Sequence, residues 1–235
     1  MALVRGQRLQ GTSVKLQASS SSLDKETIWD YKGDMQTKEA LKIIGGLSKP
    51  SKMPGWAYGL PAKECKTGSK LVKVPGSVCH GCYALKGCYV FKVVQDAQYR
   101  RLESTRSPLW VGAMALVINS KKSKVFRWHD SGDVQDESHL LKIFAVAKLT
   151  PTVKHWMPTR EAWVKHFLPE CPENLIIRFS GTMINQPAID SWPHTSTVST
   201  KPENRTCPAP DQNNECKDCR ACWNPEIKNI CYGKH

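Results

Sequence analysis

Between residues 124 and 180 short extended stretches alternate with helical ones, and each extended stretch runs into a polar cluster. Lys124–Trp128 reads as a strand and His129-Asp130-Ser131-Gly132-Asp133 as the turn after it. Glu137–Leu149 carries Leu140, Leu141, Phe144 and Ala147 at helical spacing. Val153–Met157 is again extended, followed by Pro158-Thr159-Arg160 and a short helix over Glu161–Leu168. Leu175–Phe179 is a third strand, ending at Ser180-Gly181. Strand–helix alternation of this kind needs parallel strands joined by crossovers. The expected fold class is therefore α/β: a compact parallel, (βα)-barrel-like domain over residues 34–200, with regularity fading after Thr182.

Parallel α/β domains place their chemistry at the C-terminal strand ends, where the loops converge. Here those ends offer Asp130, Ser131 and Asp133, then Thr159 and Arg160, then Ser180. Two carboxylates can divide nucleophilic and proton-transfer work. His129 suits orienting an Asp or ligating a metal, and Arg160 suits bidentate binding of a phosphate or carboxylate. Arg127, Trp128 and Trp156 stand at or just before the strand ends, where an aromatic ring can stack on a base. The structural reading of the same residues is turns and caps, with Asp136 capping the helix that follows and the tryptophans in the core.

Cysteine usage is the second constraint. There are ten cysteines. Met1–Gly33 has no apolar signal-peptide segment, so a reducing compartment is expected, and there metal or cluster binding outranks disulfides. Cys216-x-x-Cys219-x-x-Cys222, with Cys207-Pro208 upstream and His235 at the end, defines a metal-binding module over 201–235. Zinc would take the three cysteines plus Cys207 or His235. A [4Fe–4S] cluster would take four thiolates. Cys65, Cys79-x-x-Cys82 and Cys88 form a second group, in a Cys-rich insertion at 65–88. It fits a second metal or cluster site, or a redox pair. Cys171 precedes Pro172 in a loop and is expected to be unligated. The radical-enzyme spacing Cys-x-x-x-Cys-x-x-Cys is absent.

The flanks read more simply. Residues 1–33, with a serine run at Ser19–Ser22, form a basic flexible arm. A short helix is expected over Thr37–Ile44, stopped by Gly45-Gly46. Pro50–Pro61 reads as an irregular loop. Phe91–Thr105 reads as a helix with Lys92, Arg100 and Arg101 facing solvent, and Leu109–Ile118 as an apolar helix begun by Pro108. Lys plus Arg number 34 and Asp plus Glu 21, a formal net charge of +13 spread along the chain. Such an excess points to a polyanionic partner, usually nucleic acid, DNA and RNA alike. There is no apolar run of about 18 residues, so no membrane partner is expected.

Lys52-Met53-Pro54, Leu60-Pro61-Ala62, Cys65-Lys66-Thr67-Gly68, Cys79-x-x-Cys82-Tyr83-Ala84 and Lys86-Gly87 resemble the uncharacterised phage gene-product-88 family. So do Phe126-Arg127-Trp128-His129-Asp130-Ser131-Gly132-Asp133, Thr159-Arg160 and Cys219-Arg220-Ala221-Cys222-Trp223. The resemblance covers residues 48–235 and implies a phage or prophage origin, hence action in the host cytoplasm. A looser similarity links the terminal cysteine trio with its histidine, the strand-end aspartates and the basic charge to queuine tRNA-ribosyltransferases and phage deazaguanine DNA transglycosylases. Those are (βα) barrels with a zinc site and two catalytic Asp residues.

The leading expectation is a phage enzyme that modifies nucleic acid by base exchange. It would extrude a guanine from DNA and replace it with a deazaguanine, a small-molecule substrate. Asp130 or Asp133 would trap the oxocarbenium-like centre, the other would act as base, and Arg160 and Ser180 would position the substrate. On this view Asp133→Asn abolishes exchange and leaves folding intact. Two alternatives stand beside it: an iron–sulfur protein acting on nucleic acid, and a non-catalytic phage protein that binds nucleic acid or a host factor.

Overall fold

Successive side chains in a strand point to opposite faces, so a strand buried on both faces needs partners on each. The computed structural model describes residues 35–234 and meets this need with two unlike layers. The arm at 1–33 and His235 lie outside the described residues. Helix α1 (Thr37–Ile43) leads into strand β1 (Trp56–Tyr58), α2 (Lys66–Leu71), α3 (Lys92–Ser104) and α4 (Trp110–Ser120). Then follow β2 (Val125–Trp128), α5 (Glu137–Leu149), β3 (Lys154–Thr159), β4 (Leu175–Ser180), β5 (Thr195–Ser199) and β6 (Asn229–Gly233).

All six strands are parallel and pair in chain order, β1-β2-β3-β4-β5-β6. The α/β class with a parallel sheet is as expected. A closed barrel is not seen: β1 and β6 are the edges of an open sheet. Right-handed crossovers between strands paired in chain order put every crossover helix on one face. Accordingly Phe126, Trp128, Met157, Leu175, Ile177 and Phe179 pack into one core with Ala40, Trp110, Met114, Leu140 and Ile143 of the helices. The other face of the sheet carries Val125 and Trp156, which pack with Trp223 and against Cys222 and Tyr232 of the C-terminal segment.

Local chemistry explains the boundaries. The α1 helix stops at Gly45 and Gly46, both at positive φ, where Gly46 N–H donates to Leu41 O and Gly45 N–H to Lys42 O. Asp136 caps α5, its carboxylate accepting from His139 N–H at 2.8 Å. The stretch after β3 forms a 3₁₀ helix, Ala162–Glu170, in place of the expected α-helix; Pro169 lies inside it and removes a donor. Arg101 does not face solvent. It is buried on α3, and its Nη1 donates to Gly59 O at 3.1 Å.

Three strands depart from expectation. The Pro50–Pro61 loop contains β1, and the segment after Thr182 contains β5 and β6. The last strand, beyond the cysteine run, therefore belongs to the same sheet. No helix among the described residues is long and apolar enough to cross a membrane.

Candidate functional site

Parallel strands bring all their C-terminal ends to one edge of the sheet. There the Cys-rich insertion folds across the end of β4, with Val78 N–H donating to Thr182 O at 2.9 Å and Ile184 N–H to Gly76 O at 3.0 Å. A cavity of about 940 Å³ opens between this insertion, the strand ends and the C-terminal segment. Of the strand-end residues singled out in the sequence, Arg127, His129, Asp130, Ser131, Asp133, Trp156, Thr159, Arg160 and Ser180 line it. So do all of Cys65, Cys79, Cys82 and Cys88, and all of Cys207, Cys216, Cys219 and Cys222. Trp128 does not. Its ring is fully buried on the helical face among Tyr58, Trp110 and Phe126, so it is a core residue and no stacking platform.

The two aspartates have different roles. Asp133 is tied down: Oδ1 accepts from Val134 N–H and Oδ2 from Arg160 N–H, each at 2.8 Å, which joins the loop after β2 to the end of β3. Burial pushes its carboxyl up to about 6, against the two backbone donors that favour the charged form. Asn at 133 would set an N–H₂ against one of those donors, so folding is not indifferent to this substitution as the sequence reading supposed.

A sign follows from the raised value. The native state holds the Asp133 proton up to about pH 6, the unfolded chain only to about 3.9. This group's stabilisation is complete below the lower value and is lost as pH rises through the upper one. The stability of the wild type relative to Asp133→Asn is therefore expected to fall by up to roughly 3 kcal/mol between pH 4 and pH 7. Urea unfolding of both proteins across that range checks it; a constant difference would show that Asp133 titrates normally.

Asp130 is the freer carboxylate. It is 8% exposed, and among the described residues its Oδ1 has no hydrogen-bond partner. Burial raises its pKa, opposed by the charges of Arg127 and Arg101 and by its own backbone N–H and the Ser48 hydroxyl. Its backbone carbonyl accepts from Tyr83 Oη at 2.5 Å, which fixes the Cys82-Tyr83-Ala84 segment to the end of β2. Gly59 makes room for it: a Cβ there would overlap Asp130 Oδ1 and come within 3.0 Å of Ser131 Oγ. Gly59→Ala is expected to displace the Asp130 carboxylate and cost about 1–3 kcal/mol, read as a lower urea midpoint. An unchanged midpoint would mean that Asp130 is not held there.

The hydroxyls are already committed. Ser131 Oγ donates to Leu60 O at 2.7 Å and accepts from Gln98 Nε2 at 2.8 Å. Thr159 Oγ1 accepts from Glu161 N–H at 3.0 Å, and Ser180 Oγ accepts from Ser196 Oγ at 3.3 Å. His129 sits at φ +55, and neither ring nitrogen has a hydrogen-bond partner among the described residues. It bonds neither aspartate; its ring meets that of His139 at 5.6 Å. Burial holds it neutral, well below its ordinary range. Trp156 is covered by Arg127, whose guanidinium lies 4.7 Å from the ring centroid.

Two positioning residues carried no signal in the sequence. Glu161, buried at the end of β3, accepts from Thr67 N–H at 2.8 Å and from Thr67 Oγ1 at 3.0 Å, and so holds the Cys65 loop. Arg178 on β4 donates to Ala221 O, Cys222 O, Asn224 O, Ile227 O and Lys228 O at 2.8–3.3 Å, and so holds the C-terminal cysteine loop under the sheet. Trp223 Nε1 adds a bond to Phe126 O at 2.9 Å, and Cys216 N–H one to Lys52 O at 2.9 Å.

No disulfide joins any of the ten cysteines. Cys171 Sγ lies apart from both groups, donating to Leu175 O at 3.3 Å. Among the described residues no group of three or more Cys, His, Asp or Glu side chains is gathered closely enough to hold a single metal ion, so the expected metal module is not seen as such. His235 lies outside the described residues.

A family model described as Gene product 88 matches residues 31–225. The match includes both cysteine groups and every strand-end residue discussed above. No curated protein and no solved structure matches the chain. The similarity to transglycosylases finds no support in these comparisons.

Proposed function

The chain belongs to the Gene product 88 family, a phage gene-product family, and we propose that it is an iron–sulfur enzyme acting on nucleic acid in the host cytoplasm. One observation carries this reading. Two groups of four cysteines, more than a hundred residues apart in the chain, line the same cavity at the C-terminal ends of parallel strands. Thiols kept only for packing have no reason to share a mouth with Asp130, Arg127 and Arg160. Thiolates that ligate an iron–sulfur cluster surround a body larger than one ion and stand further apart than ligands around zinc. The cavity accommodates such bodies, and the net charge of +13 suits a nucleic-acid substrate.

Within this reading Arg127 and Arg160 attract and orient an anionic substrate, and the buried Asp130 holds or accepts a proton beside it. The clusters would supply electron transfer or iron-centred chemistry. Protein purified without oxygen is expected to be brown, with a broad band near about 400 nm that bleaches on reduction. Its affinity for DNA is expected to fall steeply with salt. Colourless protein that holds zinc would overturn the reading.

The base-exchange transglycosylase remains as a second reading, and Asp130 is the observation that favours it. Its unpartnered oxygen in the cavity suits a nucleophile or base. Asp133, with both oxygens engaged, would then only position the loop. Release of labelled guanine from DNA, lost in Asp130→Asn, tests it.

A further inference from the structure

We propose that Cys65, Cys79 and Cys82 hold a [4Fe–4S] cluster through three thiolates only. Its fourth iron is then open to the cavity, for a small carboxylate-bearing molecule that also pairs with Arg160. The inference rests on the iron–sulfur reading above and assigns unlike work to the two thiol groups.

The three cysteines are brought together although Cys65 and Cys79 are separated by α2 and the loop after it. The Cys65 and Cys79 sulfurs lie 3.6 and 3.7 Å from the point where a side chain on Gly68 would begin. Any larger residue at 68 would project between them. Cys82 follows Cys79 in a tight turn, its N–H donating to Cys79 O at 3.0 Å. Glu161 and Tyr83 pin the two ends of this arrangement to the ends of β3 and β2.

Cys88 stands apart. It is exposed on a separate 3₁₀ turn, Gly87–Val90. A [4Fe–4S] cluster has four irons to ligate, so three thiolates leave one free. The C-terminal group differs, because Cys207, Cys216, Cys219 and Cys222, all lining the cavity, supply four.

Arg160 indicates what the open iron takes. Its backbone is fixed by Asp133. Its side chain makes no ion pair among the described residues, and its buried Nε has no partner. It lines the same cavity as the trio. A guanidinium beside an iron with a vacant position is matched by a carboxylate, which offers oxygen to both.

The test uses the full chain, reconstituted with iron and sulfide without oxygen and then treated with ferricyanide. An iron with no thiolate leaves on one-electron oxidation: [4Fe–4S]²⁺ gives [3Fe–4S]⁺ and Fe²⁺, and the electron passes to ferricyanide. The expected result is one [3Fe–4S]⁺ signal by electron paramagnetic resonance, and release of about one iron in eight. Cys88→Ser keeps that signal, whereas Cys65→Ser and Cys82→Ser lose it with circular dichroism unchanged. Citrate or methionine added beforehand slows the release, about tenfold less effectively in Arg160→Gln. Loss of the signal in Cys88→Ser, or clusters that release no iron, overturns the three-thiolate site while the iron–sulfur reading stands. Indifference to both carboxylates overturns the ligand. A chain that takes up no iron overturns the reading beneath it.

Discussion

Arg178→Leu is expected to detach the loop at 221–228 from the sheet and to cost about 4 kcal/mol or more. The guanidinium is fully buried on β4 and is the donor for five carbonyls of that loop, with Thr195 O a sixth at 3.5 Å. Leu leaves those oxygens buried without donors, at about 1–3 kcal/mol for each that water cannot reach. A domain of this size has roughly 5–15 kcal/mol to lose. Lys in its place restores the charge but not the planar fork, so Arg178→Lys is expected to recover little. Urea unfolding gives the loss, and exposure of Trp223, seen in its fluorescence, shows where it falls. A change below about 1 kcal/mol would mean that packing of Trp223 alone holds the loop.

Acid is expected to unfold the protein between about pH 6.5 and pH 4. Three histidines are buried in and around the helical face. Among the described residues His129 has no partner for either nitrogen, His139 none for Nε2 and His155 none for Nδ1. Burial lowers His139 to about 4 and His155 to about 3, and His129 lies well below its ordinary range. For a base whose folded pKa is depressed, stability is present above the unfolded value and is lost as pH falls, because only the unfolded chain takes the proton. Each such histidine contributes a slope of roughly 1.4 kcal/mol per pH unit below about 6.5. Asp130 and Asp133 oppose it with two raised carboxyls. His129→Asn tolerates the left-handed backbone and does not titrate. It is expected to flatten the slope by about one proton, measured as urea stability against pH. An unchanged slope would mean that His129 is protonated in the native state.

The sequence disclosed the middle of the fold better than its ends. β2, β3, β4 and α5 were legible because apolar periodicity is strong between Val125 and Ser180 and each strand stops at a polar turn. β1 is only three residues long and lies among prolines and glycines. β5, Thr-Ser-Thr-Val-Ser, is buried but built from small hydroxyl residues. β6, Asn-Ile-Cys-Tyr-Gly, follows a cysteine run whose polarity masks it. Each is a strand by its pairing, not by its own propensity.

The site was legible as a set of residue types and not as a set of roles. Alternation gave Asp130, Asp133, Arg160 and Ser180 as strand-end groups, and all line the cavity. It could not say that backbone donors engage Asp133, or that Trp128 faces the helices. The latter follows once β2 is registered against β1, since Trp128 pairs with Tyr58, whose hydroxyl donates into the core at Ile44 O. Arg178 and Glu161 carried no signal of their own, because their partners lie in loops 43 and 94 residues away or more.

The decisive measurement is the metal content of the full chain grown on ⁵⁷Fe and isolated without oxygen, with iron, sulfide and zinc counted together and a Mössbauer spectrum recorded. The expected result is iron and sulfide in equal amounts, about eight of each per chain, with the quadrupole doublets of [4Fe–4S]²⁺ clusters. Zinc near one or two per chain with no sulfide would contradict it, and would leave the cysteines as staples around a cavity whose chemistry belongs to Asp130 and its arginine neighbours.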